Sequence, residues 1–249
     1  EQTDLRIGIG HGIGADLPSP AAVAEARRMA LQEVHACRET IITQIHQQPS
    51  FLVSLTPLPF AGKDPDASSR MHQQDLYLLR KQRIEDGLVH QMLAAGLAAG
   101  VGPMAAVAGA VAEQVGRKLS SLYREVIVEN GGDLWVCGAQ PRLVGIWCGQ
   151  SILNGKLALR LPPHNLPMGL CTSSGTVGHS LSFGRADAAT VSARTAALAD
   201  SVATALGNRI RTAENLEPAL TWAMKIPGVH GVLAVLGDKL GVMGSMTIA

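Results

Sequence analysis

The spacing of apolar positions changes several times along this chain, and each change marks an element. "TDLRIGIG" near the start reads as an opening strand, and Pro20 to Gln47 has helical composition, with Ser19 placed to cap it and Pro20 at the first helical position. Thr56 to Ser69 is a proline-rich polar loop, and Arg70 to Asp86 reads as a charged, exposed helix. Gly87 to Ala112 contains no Asp, Glu, Lys or Arg. Glycines, Pro103, His90 and Gln91 interrupt that run, so the expectation is two closely packed buried helices, the second from Pro103 through Leu119, and not a membrane span. From Glu125 the pattern shortens to β runs: "VIVEN", "LWVCG", "LVGIWCG", "KLALRLP" and "ATVSA". Arg194 to Gly207 and Ala213 to Ile226 read as helices, and "GVLAVLG" with "GVMGSMTIA" closes the chain with two strands. Strands and helices come in groups, which predicts an α+β fold, and the length suits one domain over residues 1–249.

Composition narrows the classes of function. The formal net charge is +1 and aromatic residues make up 3% of the chain, so it carries neither a basic stripe nor a stacking platform for nucleic acid. Cys37, Cys137, Cys148 and Cys171 show no C-x-x-C pairing, which favours a reducing compartment. The stretch "EQTDLRIGIG" has neither a basic nor a long apolar region of the kind a signal peptide needs, and the expectation is a cytoplasmic protein with no membrane partner. The order strand, "GIGHGIG", helix invites comparison with a dinucleotide-binding turn. The glycine spacing is wrong for one, and Pro18, Ser19 and Pro20 separate the glycines from the helix that would receive a phosphate, so a strand-to-helix loop is expected.

Three places carry candidate chemistry. Asn130-Gly131 between two strand-like runs signals a tight hairpin; Gly131 and Gly132 expose backbone N–H groups, and Glu129 and Asp133 flank them. Asp200 and Thr204, four residues apart, share one helix face and offer two hard oxygen donors suited to Mg²⁺ or Ca²⁺. On spacing alone the stronger reading is a Thr bonded to its own helix and an Asp that merely caps or is solvated. "GLCTSSGTVGHS" is dense in small donors: Gly175 and Gly178 permit sharp turns that aim N–H groups inward, and Thr172, Ser173, Ser174 and Thr176 add hydroxyls. His179 is the one side chain in that stretch that moves a proton near neutral pH.

Taken together, "GVGPMAAVAGAVAE", "VIVENGGDLWV", "GLCTSSGTVGHSLSFGRADA" and "TAALADSVATALGN" resemble an uncharacterised family of the ApbE-like superfamily, from Val101 onward and more loosely before it. Residues 60–83 look like a member-specific insertion. The better-known branch, once labelled thiamine biosynthesis lipoproteins, comprises Mg²⁺-dependent transferases that cut FAD and attach FMN to a protein Thr or Ser. The resemblance implies metal ligation by Asp200 and Thr204, which with Ala199 and Ala203 match an Ala-Asp-x-x-Ala-Thr motif, and this outweighs the local reading of the pair. It implies cofactor contacts at Gly131, Gly132 and Asp133 and along Thr172 to Gly175, with a downstream histidine at His179. The chain departs from that branch in two places: Ala108-Gly109 stands where Lys-Gly is usual, and "HSLSF" stands for His-x-x-Asp-Pro.

Three functions follow as expectations. The first is an enzyme in which Mg²⁺ on Asp200 and Thr204 and the glycine-rich backbone hold a phosphorylated small molecule, FAD or FMN first, with His179 as general base. The second keeps the fold and uses Cys171 for sulfur assimilation or homocysteine formation, as the resemblance to anaerobe relatives implies, on condition that its thiol pKa is lowered. The third is a non-catalytic binding or assembly protein, with a homodimer expected from its Ala- and Gly-rich helices.

Overall fold

The runs after Glu125 form strands because their residues pack on two faces at once. The computed structural model describes residues 4–10, 17–60, 87–162, 164–175 and 183–249. Residues 11–16 of the glycine-rich loop region, the charged helix expected over 70–86, nearly all of the insertion at 60–83, and Thr176, Gly178 and His179 lie outside the described residues.

The chain begins with β1 (Leu5–Gly10), then α1 (Pro20–Gln47), α2 (Ser50–Val53) and α3 (Leu88–Ala99). A 3₁₀ turn over Pro103–Ala106 leads into α4 (Val107–Ser120). The strands β2 (Glu125–Asn130), β3 (Asp133–Gly138), β4 (Arg142–Gly145), β5 (Ala158–Leu161), β6 (His164–Ser173) and β7 (Ala188–Ala193) follow. The chain ends with α5 (Ala196–Arg209), a 3₁₀ turn at Ala213–Asn215, α6 (Leu216–Met224), β8 (Val229–Leu236), β9 (Lys239–Gly244) and β10 (Thr247–Ile248). Among the described residues the main sheet has seven strands in the order β1-β2-β3-β6-β7-β8-β9, all neighbours antiparallel, and a second sheet runs β10-β5-β4. This is the α+β domain that the grouped elements predict.

Alternation along each strand divides the core. Trp135, Cys171, Val191 and Val232 face the helices, while Val136, Leu170, Ala188 and Leu233 face the smaller sheet through Leu157, Leu159 and Leu161. Every residue of β7 is buried, as befits a central strand covered on both sides. Two revisions to the sequence-based elements stand out: the last expected strand is split into β9 and β10, which join different sheets, and β6 extends through Cys171, Thr172 and Ser173 where a polar loop was expected. Thr172 and Thr190 lie opposite each other across the sheet with their hydroxyls 2.9 Å apart, so the polarity is satisfied within the sheet instead of marking a loop.

Helix boundaries follow local chemistry. The Ser19 hydroxyl accepts from the Ala22 N–H at 3.2 Å and Pro20 opens α1, as read from the sequence. Thr195 caps α5 by accepting from Leu198 N–H at 3.3 Å, which starts that helix two residues later than its composition indicates. No single helix among the described residues is long and apolar enough to cross a membrane; α3 and the helix after Pro103 meet at a bend of 105°.

Small residues let these layers approach. A Cβ built on Gly116 of α4 would lie 2.1 Å from the Trp135 ring, whereas one on Gly145 meets nothing within 4 Å. Gly116→Ala is therefore expected to destabilise the fold by roughly 1–3 kcal/mol, and Gly145→Ala to stay within about 0.5 kcal/mol of wild type. Urea denaturation of the two variants side by side checks this, and equal midpoints would contradict the packing described.

Candidate functional site

The site is assembled where the starts of two helices meet the tip of a hairpin. The first N–H groups of an α-helix have no partner within it. In α4 that need is met from outside: Gly109 N–H donates to Asp200 Oδ2 at 2.9 Å, and the Ala108 N–H also bonds this carboxyl. A Cβ on Gly109 would lie 2.3 Å from the Ala196 carbonyl oxygen, so glycine is what allows α4 and α5 to come this close.

The hairpin brings the second carboxyl. Gly131 and Gly132 both have positive φ, 64° and 102°, as a two-residue turn requires, and they join β2 to β3 as the Asn-Gly signal predicts. Asn130 Nδ2 donates to the Ala108 carbonyl at 3.1 Å, which ties the hairpin tip to the start of α4. Asp133, the next residue, is thereby held at the same corner as Asp200.

Both carboxyls are buried, and their environment is acidic. Burial pushes the Asp200 carboxyl up to about 7, opposed by the Gly109 and Ala108 N–H groups. Burial and then the Asp200 charge push Asp133 well above the usual carboxylate range, partly countered by the Cys171 thiol and the Thr172 N–H. Among the described residues lining this corner there is no Lys, Arg or His.

Asp133, Asp200, Thr204 and Asn208 line one cavity of about 290 Å³. Asp200, Thr204 and Asn208 recur every four residues and so face the same way along α5. The rim is apolar: Leu52, Leu55 and Phe183 are half-exposed around it. Phe183 is pinned by its N–H, which donates to Asn208 Oδ1 at 2.8 Å.

The remaining expectations meet this geometry unevenly. Asp200, Thr204 and Asp133 come together. Gly131 and Gly132 supply the turn that places Asp133. Thr172 and Ser173 belong to β6, Ser174 is half-buried just beyond it, and Gly175 N–H, expected to face a phosphate, donates to the Ala186 carbonyl at 2.8 Å. Gly175 packs on Gly184, and Gly184 on the Gly207 carbonyl, so this segment reaches the far end of α5. Cys171 is fully buried beneath the corner, with Sγ 3.4 Å from the Ala196 carbonyl. Burial, followed by the Asp133 and Asp200 charges, pushes its thiol well up, opposite to the lowered pKa that sulfur carriage requires. Asn208 escaped the sequence reading although its spacing from Thr204 was visible. Glu113, buried and in contact with the first N–H of α5, had no local signal at all.

The raised Asp200 value has a consequence for stability. A carboxyl whose folded value lies above its unfolded one favours folding below about pH 4 and loses that contribution as the pH rises to about 7. Asp200→Asn keeps an oxygen for Gly109 N–H without the ionisation. In a chelator, the variant is expected to match wild type near pH 4 and to be more stable than wild type at pH 8. Urea denaturation at the two pH values decides, and a variant less stable than wild type at pH 8 would contradict it.

A family model described as "AbpE bacteria" matches residues 1–225. The chain is 38% identical to a UPF0280 protein of Methanocella arvoryzae, covering 84% of this chain and 86% of the relative. It is 33% identical to a UPF0280 protein of Methanosarcina acetivorans, covering 92% of each. Among solved structures, the ApbE protein of Thermotoga maritima aligns over 96% of both chains with a TM-score of 0.53 at 15% identity, a likeness of fold. By the extent of the family match, this chain belongs to the AbpE bacteria family.

Proposed function

We propose that the acidic corner binds a hard divalent cation, Mg²⁺ first, and through it the phosphate part of a flavin nucleotide on which the protein carries out phosphoryl-type transfer. The observation that carries this reading is the pair of buried carboxyls, Asp133 and Asp200, both raised by burial and Asp133 further by the Asp200 charge, in a cavity lined by no cationic side chain among the described residues. A cation is the simplest complement to such a pair.

The donor chemistry fits a hard ion better than a transition metal. Among the described residues no group of three or more His, Cys, Asp and Glu is set to hold a metal. Asp133, Asp200 and Thr204 line the cavity and would hold the ion as a partial oxygen shell, of the kind that Mg²⁺ completes with water and substrate phosphate. When bound, the ion supplies neutralisation of phosphate charge as a phosphoryl bond is cut.

The chain's own residues have separable tasks in this scheme. Asp200 is fixed by two helix N–H groups, so its carboxyl lines the cavity with little freedom to lose on binding. Thr204 stands one turn further along the same face. The apolar rim of Leu52, Leu55 and Phe183 excludes water from that floor and covers the uncharged part of the ligand. His179, outside the described residues, is assigned the proton transfer on the strength of the sequence resemblance. A cavity of about 290 Å³ is at the small end for ligand sites, so it receives one portion of a dinucleotide.

Calorimetry with FAD, with and without Mg²⁺, tests the assignment on wild type and Asp200→Ala. Wild type is expected to bind FAD only with Mg²⁺, and the variant to bind roughly tenfold more weakly or worse, the scale of losing support for a bound ion. Equal binding by both proteins, or binding by neither, would remove the assignment.

A further inference from the structure

We infer that Glu113 is the positioning residue of the acidic corner, and that it acts by reach: its carboxylate holds the first N–H of α5 and so fixes where Asp200 places its carboxyl. This rests on the cation reading above.

Glu113 is completely buried and divides its two oxygens between two partners. Oε2 accepts from Ala196 N–H at 2.7 Å, across 83 residues of sequence, and Oε1 accepts from Arg117 on the next turn of α4, with Nε at 2.9 Å. Ala196 is the first residue of α5, so its N–H is one of those the helix cannot satisfy itself. The contact is the mirror of the one made by Asp200. Gly109 and Glu113 are one turn apart on α4, and Ala196 and Asp200 are one turn apart on α5. Each helix gives a carboxylate to the other's opening turn: Asp200 to Gly109 N–H, Glu113 to Ala196 N–H.

Two bonds one turn apart on both helices set their separation and their slide along each other. A single bond fixes one point of contact between the two helix starts, and the second fixes their relative slide. With both in place the Cβ of Asp200 sits close against Gly109, where even a methyl group would come within 2.9 Å of it. Loss of the Glu113 contact therefore changes the angle at which Asp200 faces Asp133 without touching either side chain.

Two conservative variants separate reach from charge. Glu113→Gln keeps the length and an oxygen for Ala196 N–H but loses the charge opposite Arg117. Glu113→Asp keeps the charge but is one methylene too short to span to α5. The probe is Mn²⁺, followed by calorimetry on protein shown to be folded by circular dichroism, together with hydrogen exchange of the Gly109 amide in the cation-free protein. We expect Glu113→Gln to bind Mn²⁺ within about threefold of wild type and Glu113→Asp to bind at least about tenfold more weakly, with faster Gly109 exchange. A purely structural ion pair predicts the reverse order, since it is Gln that leaves Arg117 unpaired. Equal Mn²⁺ affinity in all three folded proteins, or a greater loss in Glu113→Gln, would overturn the inference. Wild type that binds no Mn²⁺ would instead bring down the cation reading, and this inference with it.

Discussion

Two helices that begin side by side, each capping the other, form the constraint on which the corner depends. Gly109 N–H on Asp200 and Ala196 N–H on Glu113 answer the same physical need, the unpaired amides of an opening turn. Because each helix answers it with a carboxylate from its neighbour, α4 and α5 are registered to each other at the bottom of a cavity. The favourable interaction of a negative charge with a helix start offsets part of the cost of burying it. Glycine at 109 and at 169 makes the approach possible: a Cβ at either position would run into the backbone of Ala196.

That constraint explains why two acids tolerate each other's company. A buried carboxylate without a partner is costly, and two of them more so. Here Asp200 is supported by helix N–H groups and Asp133 by the Thr172 N–H and the Cys171 thiol, yet both remain raised. The fold thus maintains an arrangement that, without a cation, works against its own stability near neutral pH. Such an expense is the mark of a site and not of a core. Cys171 belongs to the supporting structure, as a small buried group whose thiol serves the Asp133 carboxyl.

Much of this could be read from the chain, and the parts that could not share a physical cause. Ser19-Pro20 announced α1 through local capping, and Asn130-Gly131 announced the hairpin through its need for positive φ. Helix periodicity puts Asp200 and Thr204 on one face, but it was the resemblance of their motif that singled them out. The stretch from Gly169 to Ser173 misled because its small polar residues look like a turn, while their pairing with Ala189 to Ala193 is a contact between distant parts of the chain. Glu113 was invisible for the same reason, its partner lying 83 residues away. The meeting of Asp133 with Asp200 is likewise set by how the hairpin tip ties to Ala108, through an Asn130 side chain whose reach no local pattern encodes.

The most direct test of the account is to see an ion at the corner. Crystals grown with Mn²⁺ and measured at its absorption edge would report the ion by anomalous scattering, independently of any activity. The account predicts a single strong peak within coordination distance of Asp200 and Thr204, with Asp133 facing it. A well-ordered corner with no peak at millimolar Mn²⁺, or a peak bound elsewhere while Asp133 and Asp200 share a proton, would contradict it.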